Sequence, residues 1–284
     1  LELPPLEATN VRKYPRKSHF IYWGNQNETR KLFIRRANIG SILICFKGNS
    51  SALNFLSNLR QILRKVHGIT KFLVTETSWL HTIELKRLWN MIIKNPLTRH
   101  IILNTSAYQV DFSFLEKPKY QKCCLESFQI PFYGGSEDDL IHIAKSVKRH
   151  RLRALNLHIG GQVPYHEDSF GHFRRVFRNL NTLKINISDN WFINDRFITL
   201  LAKCLNQAHN LKSFRFRISN TKRVTILSSS TLFSSKSLNN HNLQDLAFTV
   251  SPCNHSLSLN QEQRLLANNP SLQSLHLECY ESTF

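Results

Sequence analysis

Leu180-Asn181-Thr182-Leu183-Lys184-Ile185-Asn186-Ile187 places apolar residues first, fourth, sixth and eighth in a short run. Its second half alternates apolar with polar, the period of a strand that buries one face. The pattern returns at Leu152-x-x-Leu155-x-Leu157-x-Ile159, Leu211-x-x-Phe214-x-Phe216-x-Ile218, Leu243-x-x-Leu246-x-Phe248-x-Val250 and Leu272-x-x-Leu275-x-Leu277-x-Cys279. From Leu152 onward the first positions are 28, 31, 32 and 29 residues apart. A unit recurring near every thirty residues implies a stack of similar pieces, because no such piece can bury its apolar face alone.

The pattern extends toward the N-terminus. Ile39-x-x-Ile42-x-Ile44-x-Phe46, Ile69-x-x-Phe72-x-Val74 and Leu125-x-x-Phe128-x-Ile130-x-Phe132 fit it. Between them, Leu97 followed by Ile101 and Leu103 carries one extra residue. Nine units then start at 39, 69, 97, 125, 152, 180, 211, 243 and 272, in steps of 27 to 32 residues. The intervening segments carry helical apolar spacing over 52–66, 83–93, 138–147, 170–180 and 197–205, with another helix starting at Gln261. The serine-rich stretch 221–240 has a weaker pattern and reads as a loose helix or loop. A strand and a helix in each unit require parallel strands joined by crossovers. The expected fold is therefore α/β, a solenoid of about nine repeats with a curved parallel sheet inside and helices outside. Residues 39–284 form the repeat domain and residues 1–38 a basic, irregular N-terminal arm.

These residues resemble leucine-rich repeats, L-x-x-L-x-L-x-x-N/C-x-L. The period and helical crossovers resemble the ribonuclease-inhibitor-like class, also found in F-box substrate receptors. The resemblance covers roughly residues 39–279 and implies a curved scaffold that binds other macromolecules. The position the family fills with Asn or Cys holds Gly160, Ser188, Ser219, Ser251 and Tyr280 in the five clearest units. No helical F-box pattern follows the Leu1–Leu6 stretch.

Composition narrows the partners. The 284 residues include 38 Lys and Arg against 19 Asp and Glu, a net charge of +19. That balance favours nucleic acid, an anionic membrane surface or an acidic protein, or else reflects a basic compartment. The six cysteines form no C-x-x-C pair and fit no zinc spacing, which suits reduced thiols. No apolar run approaches the ~18 residues that span a bilayer. The sequence begins at Leu1 without methionine, read as a trimmed product or a fragment, with a removed targeting peptide as one explanation. This points to a mitochondrial setting, with cytoplasmic or nuclear as alternatives.

Residues between the core positions of each strand should face the concave surface. There His158, Lys184, Asn186, Arg215 and Arg217 make a basic stripe that turns acidic toward Asp245 and Glu278. Such a stripe fits an acidic peptide, an acidic helix or a phosphate backbone, and equally a solvated open surface. Lys148, Arg149 and Arg151 end one helix and run into a strand, and Arg174 and Arg175 continue the sign on the next helix. They read as an RNA or acidic-partner contact, or as cations complementing a helix C-terminus. In the arm, Arg12, Lys13, Arg16, Lys17, Arg35 and Arg36 interleave with Tyr14, Phe20, Tyr22 and Trp23. This composition suits phosphate pairing with stacking, or an arm packed over the first repeat.

No phosphate-loop, dinucleotide, nucleophile-elbow or zinc-protease motif occurs. The histidines lie away from ligand spacing, so no metal, cofactor or catalytic residue is assigned. The expected function is a non-enzymatic scaffold subunit of a larger assembly. Its partners would be protein subunits, with RNA or an acidic protein surface as further contacts. An organellar ribonucleoprotein resembling a mitochondrial ribosome, or a mitochondrial membrane complex, would be such an assembly. The alternatives are an F-box-type ubiquitin-ligase substrate receptor and a direct nucleic-acid-binding protein.

Overall fold

A computed structural model describes residues 18–24, 39–46, 52–65, 68–75, 82–104, 112–115, 125–133, 137–150, 152–160, 171–188, 195–219, 238–250 and 259–279. The chain divides into two compact units, one of residues 1–107 with 118–124, the other of 108–117 with 125–284.

In the first unit, β1 (Ser18–Gly24), β2 (Ile39–Phe46), β3 (Lys71–Thr75) and β4 (His100–Asn104) pair in chain order, every pair parallel. Helices α1 (Ala52–Lys65) and α2 (Thr82–Lys94) form the crossovers before β3 and β4. Strand β1 falls inside the stretch expected to be irregular. Its sequence, His19-Phe20-Ile21-Tyr22-Trp23, is aromatic and β-branched, and such residues fit a pleated surface well enough to outweigh the basic composition around them.

In the second unit, β5 (Ser127–Tyr133), β6 (Ala154–Gly160), β7 (Thr182–Ser188), β8 (Ser213–Ser219), β9 (Asp245–Val250) and β10 (Ser274–Cys279) also pair parallel in chain order. Helices α3 (Glu137–His150), α4 (Phe173–Phe177), α5 (Asp195–Asn206) and α6 (Leu259–Asn268) lie between successive strands. A short 3-10 turn, Phe112–Leu115, docks on α3, where the Phe112 N–H donates to Asp139 Oδ1 at 2.8 Å. Helix α4 is only one turn long, shorter than its apolar spacing suggested. The serine-rich stretch lies outside the described residues up to Leu238. The architecture is thus α/β with parallel strands and helical crossovers, an arrangement compatible with a solenoid.

Period-two patterning sorts the strand side chains. In β7, Leu183, Ile185 and Ile187 are buried while Thr182, Lys184, Asn186 and Ser188 are half-exposed. In β8, Phe214, Phe216 and Ile218 go to the core, and Phe216 stacks on Phe248 of β9 at 4.8 Å between centroids. The helices contribute their own apolar faces to this core, among them Leu140, Ile143 and Val147 of α3 and Leu201 and Leu205 of α5. Each fully buried side chain of this kind contributes about 1.5–3 kcal/mol. Among the described residues, the opposite sheet face carries half-exposed and exposed side chains.

The turn entering each strand has a fixed hydrogen-bond geometry. The carbonyl of Arg153 accepts from the N–H groups of Asn181 and Thr182, that of Asn181 from Lys212 and Ser213, and that of Lys212 from Gln244 and Asp245, all at 2.7–3.1 Å. In the first unit the Thr70 carbonyl accepts from Arg99 and His100 in the same way, at 2.8 and 3.0 Å. This corrects one register. Arg99 occupies the place of Asn181 and Lys212, so Thr98, not Leu97, is the leading residue of its unit. Thr98 is fully buried and Leu97 is 46% exposed. With Thr98 first, Ile101 and Leu103 follow at the ordinary spacing and the extra residue disappears.

Asparagines fasten these turns. Asn95, Asn240 and Asn269 each stand three residues before the leading residue of a strand unit. Asn240 Nδ2 donates to the carbonyls of Leu205 and Ala208, and Asn269 Nδ2 to those of Leu238 and Leu265. The Asn240 N–H in turn donates to Asn269 Oδ1 at 2.9 Å. Carbonyls at helix ends lack intrahelical partners; Asn269 supplies one to Leu265 of the helix just before it, and Asn240 one to Leu205 of the preceding helix.

Candidate functional site

The open face of the second unit is built by strand register. Lys184 pairs with Arg215, Asn186 with Arg217, and His158 with Asn186. Neighbouring strands lie ~4.8 Å apart, and residues two apart along a strand are separated by ~7 Å. The five residues expected on this face, His158, Lys184, Asn186, Arg215 and Arg217, therefore stand together on three adjacent strands. The alternation Ser213-Phe214-Arg215-Phe216-Arg217-Ile218 dictates this locally, since burying the two phenylalanines leaves both arginines no other side.

Neighbouring groups divide into paired and unpaired. His158 Nε2 lies 3.2 Å from Ser188 Oγ, and Asn186 Nδ2 donates to Asn156 Oδ1 at 3.3 Å. Burial holds the His158 imidazole below its ordinary value of 6.5, so it is neutral at neutral pH. The charge of the face comes from Lys184, Arg215 and Arg217, and none of them has a hydrogen bond or ion pair among the described residues. Both arginines are exposed. Farther along, the sign changes: Asp245 is exposed, and Glu278 of β10 bonds His276 at 2.7 Å and accepts from Thr249 at 3.4 Å.

The remaining expected residues lie elsewhere. Lys148, Arg174 and Arg175 sit exposed on α3 and α4, helices in mutual contact. Arg174 and Arg178 both donate to Gln207 Oε1, Arg178 at 3.3 Å, which ties them to the end of α5. Cys204, buried beneath, has its thiol pushed up to about 11 by burial, with Arg174 opposing the shift. Arg149 belongs to α3, and its side chain is outside the description. Arg12, Lys13, Arg16, Lys17, Arg35, Arg36 and Arg151 lie outside the described residues.

A second feature went unread in the sequence. The first unit's open face carries Leu43, Leu73 and Ile102 in one register row, all half-buried. The signal was present: Ile42-Leu43-Ile44, Phe72-Leu73-Val74 and Ile101-Ile102-Leu103 are continuous apolar runs, not alternating ones. A polar depression of about 370 Å³ along the turns of the second unit includes Asn210 and Asn242. Their amides already donate to the carbonyls of Arg178 and His209, so these groups serve the turns.

Among the described residues, no cluster of three or more His, Cys, Asp or Glu could hold a metal ion. No helix there is long and apolar enough to cross a membrane. No protein-family model and no curated protein matches the chain.

Proposed function

We propose that this chain is a leucine-rich-repeat interaction subunit, without catalysis of its own, that holds a negatively charged partner on the open face of its second unit. The observation that carries the reading is the grouping of Lys184, Arg215 and Arg217 on two adjacent strands without a counter-charge among the described residues. Like charges on neighbouring strands cost stability, and an anion from outside offsets that cost. The parallel strands, the recurring turn hydrogen bonds and the spacing of the buried leucines support the repeat assignment. The net charge of +19 suits a subunit of an assembly rich in anions, an organellar ribonucleoprotein being one such setting.

The test is fluorescence anisotropy with two labelled polyanions, poly-L-glutamate and a uridine oligonucleotide. The variant Lys184→Glu/Arg215→Glu/Arg217→Glu should weaken binding of at least one probe by about tenfold or more. The control Lys148→Glu/Arg175→Glu carries charge reversals on the helical side and should leave that binding within about threefold. Equal loss in both variants, or no loss in the first, defeats the open face as the binding surface.

A further inference from the structure

We infer that the partner of this face is an acidic segment of a protein, its carboxylates over β7 and β8 and a basic residue over β9 and β10. The inference rests on the reading of the open face as the binding surface and specifies the chemistry of what lies on it.

Three observations separate a polypeptide from a nucleic acid. The first is the footprint of positive charge. Lys184 and Arg215 are direct register partners and Arg217 is two residues along the same strand, so the three cations fit within about 10 Å. That suits a few carboxylates.

The second is the reversal of sign. Arg215 pairs with Ala247 and Arg217 with Thr249, and Thr249 pairs in turn with Glu278. Two strand spacings, about 10 Å, therefore carry the face from arginine to glutamate, with exposed Asp245 between them along the sheet. A phosphate chain has one sign throughout, and any extension past β8 sets phosphates against Asp245 and Glu278. A polypeptide can change sign with the surface. Charges of opposite order on the partner would then fix its direction across the strands.

The third is the composition of this face among the described side chains of β6 to β10. The described side chains on this open face include no Phe, Tyr or Trp; Asn156, Thr182, Ser213, Ala247 and Thr249 occupy such positions instead. Single-stranded nucleic acids gain much of their affinity from aromatic platforms. The aromatic rings of β8 and β9, Phe214, Phe216 and Phe248, are all in the core.

The experiment uses the full chain and three probes at one ionic strength: a peptide with a glutamate block followed by a lysine block, a peptide of the same composition with the two residues alternating, and a uridine oligonucleotide. The blocked peptide should bind about tenfold more tightly than the alternating one. That preference should vanish in Arg215→Ser/Arg217→Ser and shrink in Glu278→Gln. The serine pair is the safer variant for folding because both arginines are exposed, and unchanged circular dichroism verifies it. If the oligonucleotide binds more tightly than the blocked peptide and loses that binding in the serine pair, the partner is nucleic acid and this inference falls while the binding face stands. Equal affinity for the two peptides also overturns the inference. If no probe responds to the serine pair, the binding face falls with it.

Discussion

Asn269 shows how much of this fold depends on single turn residues. Its Nδ2 donates to Leu238 and Leu265 carbonyls at 3.2 and 2.8 Å, and its Oδ1 accepts from the Asn240 N–H at 2.9 Å. The residue is 1% exposed, so water cannot replace these bonds. Asn269→Ala leaves three buried backbone groups without their partner and should cost about 2–3 kcal/mol. Asn242, exposed on the neighbouring turn, makes a single bond from Nδ2 to the His209 carbonyl. Asn242→Ala should cost less than about 1 kcal/mol, since solvent reaches the freed carbonyl. Urea midpoints of the two variants measure the contrast. Equal losses would show that burial does not set the worth of these amides. On the open face the same scale explains why Arg215 and Arg217 project outward. Each is flanked by buried apolar residues, and exchanging the faces would bury two guanidinium groups, which costs far more than exposing a phenylalanine.

At the scale of elements, the approach to β4 is the place where register decides energetics. The Thr98 hydroxyl donates to the Ile92 carbonyl at 2.8 Å, satisfying the end of α2, while the Leu97 side chain is largely in solvent. Thr98→Val keeps the shape and removes the donor, and should lose about 1–2 kcal/mol. Leu97→Ser should change stability by less than about 0.5 kcal/mol. Chemical denaturation of the pair would refute this register if the Leu97 variant were the more damaged. The same element shows what the sequence made legible. Strands with leucine, isoleucine or phenylalanine at every core position could be placed to within a residue or two, because their apolar spacing has no other solution. A threonine in a leucine's place hides the pattern, and the neighbouring leucine draws the assignment to itself. Strand β1 was hidden differently, since its aromatic alternation lacks a leading apolar residue and stands among arginines and lysines. The turn asparagines were invisible because carbonyls they bind lie about thirty residues earlier in the chain. For the open face, alternation placed the five residues on one side of the sheet. That His158 is spent on Ser188, and Asn186 on Asn156, required the register of three strands together.

For the whole molecule, the charge of +19 acts on stability as well as on the proposed choice of partner. Excess charge of one sign opposes a compact state, and salt screens it over a length of about 10 Å at 0.1 M. The crowding of Lys184, Arg215 and Arg217 is shorter than that length, so the local repulsion is only partly screened near physiological salt. Cross-strand pairs of this kind are worth about 0.2–1 kcal/mol each. At low ionic strength, Arg215→Ser/Arg217→Ser should therefore raise the melting temperature by about 1–2 °C. In 1 M salt, where screening extends only about 3 Å, the difference should close. Melting curves of wild type and variant across a salt series test this directly. A gap that persists at high salt would assign the gain to strand propensity or packing, and the argument that an outside anion relieves repulsion on this face would lose its physical basis. A gap present only at low salt, closing on addition of the blocked acidic peptide, would show that the same three cations both destabilise the free chain and recognise its partner.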